Sequence, residues 1–299
     1  MLQQTTVATV KSYFVKFLDL WPDVQAMARA DLNDIMAAWA GLGYYARARN
    51  LHACARQVVE QYNGVFPADG KELQKLPGIG PYTSGAIAAI AFDLPTAAVD
   101  GNVERVMSRY YAIETPLPAS KALIREKAVK LVPKQRAGDF AQSLMDLGAT
   151  TCTPRSPNCG LCPLADNCLG LARGIAGTLP RKAPKKARPT RFGRAFVMQR
   201  GDGAVLLRRR PARGLLGGML EVPCSNWIEG KSTPANTIEH TFTHFHLVLE
   251  VVIADDIDQA ELRPKDSHIW VPVNQLTGQA LPTVMKKVLA KALGQDLFN

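Results

Sequence analysis

Four cysteines lie close together near the middle of this 299-residue chain, Cys152, Cys159, Cys162 and Cys168, in the pattern C-x6-C-x2-C-x5-C. Thiolates are soft metal ligands, and four of them at this spacing in a Pro-rich loop can surround one metal centre. Chance clustering is a poor explanation. Ligand type alone leaves both zinc and an iron–sulfur cluster open. Cys54 and Cys224 fall outside the pattern and read as buried free thiols. A second residue with chemical potential is Asp100, followed by Gly101 and Asn102 where a new helix is expected to start. An ordinary N-cap explains an aspartate there. A helix N-terminus also keeps a carboxylate ionised, which suits an aspartate that stabilises a cationic sugar. The two readings are compatible. Some twenty positions upstream, Gly78-Ile79-Gly80 forms a hairpin, with Pro81 suited to the first position of the following helix. Backbone N–H groups at such a junction can hold a phosphate without side-chain charge. By itself Gly-x-Gly-Pro is also a plain turn between core helices, and it gains weight only beside Asp100.

Two further stretches could contact a ligand. In GLGYYARARN, Gly41 and Gly43 allow close backbone approach, while Tyr44, Tyr45, Arg47 and Arg49 offer stacking surface and positive charge. For this segment alone, an inter-helix turn with buried tyrosines and a solvated basic face is the simpler reading. In HTFTHFH, His240, His244 and His246 are expected on one face of a strand. No carboxylate or cysteine nearby in sequence completes a metal set, so an exposed or ligand-facing strand end is favoured.

The elements that must position these residues follow from periodicity. Val7, Val10, Phe14, Phe17 and Leu18 fall at helical spacing, and Asp31 can cap a helix through Trp39. Further helices are expected over residues 45–62, near Glu72, from Pro81, from Asp100, and over residues 120–132 and 138–147. The first half is therefore all-helical. Between Arg173 and Arg194 there is no acidic residue, and arginines and lysines alternate with Pro180, Pro184 and Pro189 in the manner of a linker. Beyond it the period changes to two. Residues 195–199, 205–209, 219–222, 240–254 and 268–271 read as strands and 282–293 as a closing helix, giving a compact α+β domain.

Composition narrows the partner. The formal net charge of +10 favours a polyanion over a small neutral ligand. The longest apolar run, Ala86 to Phe92, is too short to span a membrane and is followed by Asp93. Six cysteines in a cytosolic protein are not expected to form three disulfides.

The hairpin, the Val-Asp-Gly-Asn that follows it and the four-cysteine loop together resemble the helix-hairpin-helix DNA glycosylases that carry a 4Fe-4S cluster. MLQQT at residues 1–5, GLGYYARARNLH, MDLGA, CTPRSPNCGLCPL and HTFTHFH extend the resemblance to the adenine DNA glycosylases of MutY type, over essentially the whole chain. The resemblance implies an all-α helix-hairpin-helix glycosylase domain over residues 1–172, with the hairpin element at about 72–92 and the iron–sulfur loop at 152–168. A basic Pro-rich linker over 173–191 and a Nudix-like lesion-recognition domain over 192–299 would follow. It also implies base excision repair, in which adenine opposite 8-oxoguanine or guanine is flipped from the duplex and its N-glycosidic bond hydrolysed.

Under this resemblance Asp100 takes the catalytic aspartate position, stabilising an oxocarbenium-like sugar or bonding to it, and Asn102 orders the site. Tyr82 stands where related bifunctional glycosylases carry a Schiff-base lysine, so strand cleavage by an amine is not expected. Gln4 and Tyr44 match positions that wedge into the duplex, with Thr5, Leu42, Gly43 and Arg47 beside them and Gly78 and Gly80 on the backbone. Thr243 and His244 match the lesion-recognition loop, where the family commonly has serine in place of Thr243. No Glu-rich Nudix helix follows Gly218, so binding rather than pyrophosphate hydrolysis is expected of that domain.

The family's general-acid glutamate lies two positions before the methionine that is residue 1 here. The expectation is therefore impaired turnover, by about 10² to 10⁴-fold, with a lesion-binding protein without turnover as the alternative. The expected partner is double-stranded DNA, the protein a monomer, and its place the bacterial cytoplasm at the nucleoid.

Overall fold

The computed structural model describes residues 1–2, 5–184, 187–230, 235–254, 268–294 and 297–298. Gln4, one of the expected DNA contacts, lies outside the described residues. By its internal contacts the chain forms two compact units, residues 1–56 together with 186–299, and residues 57–185.

Side-chain caps start the first helices. Thr6 caps α1 (Val7–Leu20), Asp23 caps α2 (Val24–Arg29) and Asp31 caps α3 (Leu32–Ala38), each accepting a backbone N–H that the helix leaves unpaired. α4 covers Ala46–Tyr62, and the division between the units falls within it. Phe17, Ile35, Met36 and Trp39 are buried together, with the Phe17 ring edge-on to Trp39 at 5.7 Å.

In the unit of residues 57–185, Asp69 caps α5 (Gly70–Lys75) by accepting from the Lys71 and Glu72 amides. Leu76 then turns extended, Gly78 takes φ 79°, and Gly80 leads into α6 (Pro81–Phe92) with Pro81 in its first turn. This is the expected hairpin. Asp93 ends α6 in the left-handed region, and its carboxylate accepts from the Arg136 and Gly138 amides, so it also caps α9 (Ala137–Asp146). Between them lie α7 (Gly101–Tyr110), amphipathic and capped by Asp100, and α8 (Lys121–Leu131). A π-helical turn, Leu147–Thr151, follows α9 and delivers the chain to Cys152. The cysteine loop closes with α10 (Leu169–Ala172).

The basic stretch after α10 is anchored at its start. Arg109 Nε donates to the Leu179 carbonyl, and Leu117 exchanges backbone hydrogen bonds with Arg181 and Ala183, while Arg181 pairs with Glu114.

The remaining strands belong to the other unit. β1 (Thr190–Val197), β2 (Ala204–Arg209), β3 (Leu220–Glu221), β4 (Ile228–Glu229), β5 (Thr237–Thr241), β6 (His246–Ile253) and β7 (His268–Pro272) make two sheets, ordered β4-β1-β6-β5 and β3-β2-β7. β1 and β6 run parallel along their whole length; the other pairs are antiparallel. α11 (Thr283–Leu293) buries Val284, Met285, Val288 and Leu289 against Leu247, Leu249 and Val251. Among the described residues no helix is long and apolar enough to cross a membrane.

One expectation is corrected here. Residues 240–254 do not form a single strand: β5 and β6 are a hairpin closed at residues 242–245, where the Phe242 amide donates to the Phe245 carbonyl. The turn carries no glycine, proline or asparagine. The Phe242 and Phe245 rings hold it, 4.8 Å apart and packed with Trp227. His244 therefore sits exposed at the turn, not on a strand face with His240 and His246.

Candidate active site and metal centre

Asp100 is half-buried at the start of α7, and three N–H groups grip its carboxylate. Oδ1 accepts from the Asn102 amide (2.9 Å) and the Val103 amide (2.8 Å), and Oδ2 from Asn102 Nδ2 (2.9 Å). Tyr82 on α6 is close enough that Asp100 acts on it: burial first, and the Asp100 charge second, raise its phenol above the ordinary value. It therefore remains a neutral hydroxyl at pH 7, donating to Met145 Sδ at 3.4 Å. Two of the expected catalytic residues, Asp100 and Asn102, are thus joined directly, and Tyr82 lies beside them.

Behind this group stand two buried arginines that sequence pattern did not single out. Arg105 Nη2 donates to Asn102 Oδ1 (2.8 Å) and to the Gly148 carbonyl, Nη1 to Gly101 (3.3 Å), and Nε to the Cys152 carbonyl (2.6 Å). One turn later Arg109 Nη1 donates to Cys152 Sγ (3.2 Å) and the Thr153 carbonyl (2.8 Å), and Nη2 to Pro154 (3.1 Å). α7 thus carries the aspartate at its start and holds the first cysteine by its flank. A legible signal existed: Arg105 and Arg109 are four apart among Val103, Val106 and Met107, the apolar face of the helix. Gly148 is the other residue missed. A Cβ there would lie 2.6 Å from Asn102 Cβ, so only glycine lets the π-turn touch the site.

Cys152, Cys159, Cys162 and Cys168 line one hollow of about 30 Å³, with Arg109, Pro157 and Leu171 around it. Burial and then the charges of Cys168, Cys152 and Cys162 push the Cys159 thiol up, as befits thiols that need a cation between them. Among the described residues, no three His, Cys, Asp or Glu side chains converge tightly enough for a single metal ion. The four thiols nonetheless share one hollow, a soft donor set that suits zinc or an iron–sulfur cluster. Cys54 and Cys224 are buried elsewhere, and burial pushes the Cys54 thiol up to about 11.

The unit of residues 1–56 and 186–299 gathers most of the expected DNA contacts. Gly41, Gly43 and Tyr44 all have positive φ, of 105°, 66° and 47°, a sharp turn that leaves Tyr44 exposed. Its hydroxyl is 3.3 Å from Thr243 Oγ1, so residues 199 apart in sequence meet. Together with His244, Leu215 and Thr283 they line an open hollow of about 520 Å³. Leu42 is buried under this turn. Arg47 faces inward: its guanidinium donates to the Met1, Leu42 and Gly43 carbonyls and to Thr5 Oγ1, between the Trp39 and Tyr44 rings. Gly78 and Gly80 belong to the hairpin of the other unit, at the positive end of α6.

Three stretches of the chain match known protein families. Residues 1–134 match the HhH-GPD superfamily of base excision DNA repair proteins, 152–168 the iron–sulfur binding domain of endonuclease III, and 194–291 the NUDIX domain. The adenine DNA glycosylase of Mus musculus is 34% identical over 357 residues, covering 96% of this chain and 69% of that protein. That of Homo sapiens is 34% identical over 368 residues, covering 99% and 67%. A solved thermostable thymine-DNA glycosylase superposes on 57% of this chain and 80% of its own with a TM-score of 0.53 at 33% identity. The cysteine loop is an iron–sulfur site, and the chain belongs to the adenine DNA glycosylase family of base excision repair.

Proposed function

We propose that this protein hydrolyses the N-glycosidic bond of adenine mispaired with 8-oxoguanine or guanine in double-stranded DNA, without cutting the strand. The carrying observation is the Asp100 carboxylate, fixed by three N–H donors and backed by Asn102 and Arg105. In the reaction the bond from the sugar C1′ to adenine breaks, its electron pair leaves with the base, and the base takes up a proton. Water supplies oxygen to C1′ and gives up a proton, leaving an abasic site. Asp100 stabilises the positive charge that develops on the sugar, and because its donors are already in place little reorganisation is needed. Tyr82 offers a phenol and no amine, which supports a glycosylase that forms no Schiff base.

The four thiols hold a 4Fe-4S cluster, which supplies structure to the loop that α7 and Arg109 grip. The open hollow between Tyr44 and Thr243 receives the base opposite adenine, Gln4 and Tyr44 wedge into the duplex with Thr5 and Leu42 beside Tyr44, and Gly78 and Gly80 hold the backbone. In this reading the glycosylase domain is 1–172, the linker 173–191 and the recognition domain 192–299, and the protein acts as a monomer.

A single-turnover assay on a duplex with adenine opposite 8-oxoguanine tests the proposal. Adenine release that Asp100→Asn abolishes while duplex binding persists is the expected result. Binding with no release by the wild-type chain would make it a lesion-binding protein instead. For the cluster, anaerobically purified protein is expected to carry about four iron and four acid-labile sulfide per chain; zinc in their place would overturn that assignment.

A further inference from the structure

Arg49, one turn into α4, reaches across to the strand module. Its Nη1 donates to the carbonyl of Gly217 in the loop before β3. Gly217 is buried, and a Cβ there would lie 2.6 Å from the Ala212 carbonyl, so the loop has little room to shift. Internal bonds brace it further: Gly217 N to Gly214, Gly218 N to Pro211, Arg210 Nε to Leu215 and Arg209 Nη1 to Gly218. On either side of the clamp, Met219 and Leu216 pack into the cluster formed by Trp39, Leu42 and Tyr45. Leu215 and Leu216 also line the hollow in which Tyr44 meets Thr243.

We infer that Arg49 is a positioning residue for substrate discrimination: by pinning the 214–218 loop to α4 it sets the spacing between Tyr44 and the Thr243–His244 turn, and so the fit of the base opposite adenine. The inference rests on the reading of that hollow as the lesion site. Arg47 and Arg49 then divide the work. The first holds the wedge turn from within, and the second holds the recognition module against it. A clamp of this kind acts on the choice between opposing bases and leaves the chemistry at Asp100 alone.

The test compares adenine release opposite 8-oxoguanine and opposite guanine, as kcat/KM, in wild-type protein, Arg49→Met and Arg49→Lys. Arg49→Met keeps the stem and removes the donors. Its rate opposite 8-oxoguanine is expected to fall about tenfold, the equivalent of one charge-assisted hydrogen bond. Its rate opposite guanine should stay within about twofold of wild type, and Arg49→Lys should restore most of the preference. An unchanged preference, or a parallel loss on both substrates, overturns the inference. Should Arg49→Met fail to fold, Arg49→Gln, which retains a neutral donor, is read by the same ratio. Wild-type protein with no preference between the two substrates would instead refute the reading of the hollow.

Discussion

The close approach of Gly148 to the active site gives a sharp mutational test. In Gly148→Ala the new methyl would sit 2.6 Å from Asn102 Cβ and 3.0 Å from its Cα and carbonyl oxygen. Carbon atoms rest at about 3.5 to 4.0 Å, so a gap of roughly 1 Å must open between the π-turn and the start of α7. Those neighbours are backbone, or a short side chain already bonded to Asp100 and Arg105, and they have no free rotamer to retreat into. Overpacking of this kind costs about 1 to 3 kcal/mol. The larger effect falls on catalysis, since a misplacement of about 1 Å lowers a rate roughly 10²-fold. Single-turnover adenine release should therefore drop about a hundredfold while duplex affinity, measured by fluorescence anisotropy, holds. Gly70→Ala is the control, because a Cβ there meets nothing within 4 Å. A Gly148→Ala rate within about threefold of wild type at unchanged melting temperature would refute the packing argument.

Arg105→Met strands the acceptors on Gly148, Cys152 and Asn102, and at about 1 to 3 kcal/mol for each unpaired group it should lower the urea midpoint and speed iron loss to a chelator. An unchanged midpoint would mean that water or a shifted backbone satisfies those groups. Arg47→Ala removes the bonds that tie Thr5 and the Leu42–Gly43 carbonyls together; a melting temperature lowered by about 2 to 4 °C per kcal/mol lost is expected, and a shallower salt dependence of duplex affinity than wild type would count against an inward role for this arginine. At Asp93 the Gly138 amide, then the Arg136 amide, hold the carboxyl below its ordinary value of 3.8. A depressed value means the stabilisation is present above that ordinary value and is lost as pH falls through the lower, folded one. Asp93→Asn should therefore melt earlier at pH 7, and the difference should shrink as the pH falls below 3.8 and through the lower, folded value; a difference that persists in strong acid would locate the effect elsewhere.

What sequence made legible was local. Asp31 and Asp100 cap helices within three residues of themselves, and Pro81 is the first residue of the helix it opens, so their roles need no knowledge of distant chain. The thiol spacing was equally local. The roles of Arg105 and Arg109 were hidden because their acceptors, at residues 148 and 152–154, lie some forty residues away and are backbone carbonyls, which carry no sequence signature. Arg47 looked like a phosphate contact for the same reason: its partners include the Met1 carbonyl and Thr5, 46 and 42 positions back. The β5–β6 turn was missed because aromatic packing closes it where no turn-forming residue marks the break.

The double duty of Asp100, as helix cap and as reacting group, ties catalysis to a quantity that can be observed without substrate. The Asn102 and Val103 amide protons are spent on its carboxylate, so neither can exchange with solvent while the carboxylate is in place. Their deuterium exchange rates in the free protein therefore count how often the first turn of α7 opens, and hence the fraction of time the site is competent. A substitution far from the mismatch that leaves the fold intact yet accelerates exchange at these two amides would slow repair by occupancy alone, with every catalytic atom still present.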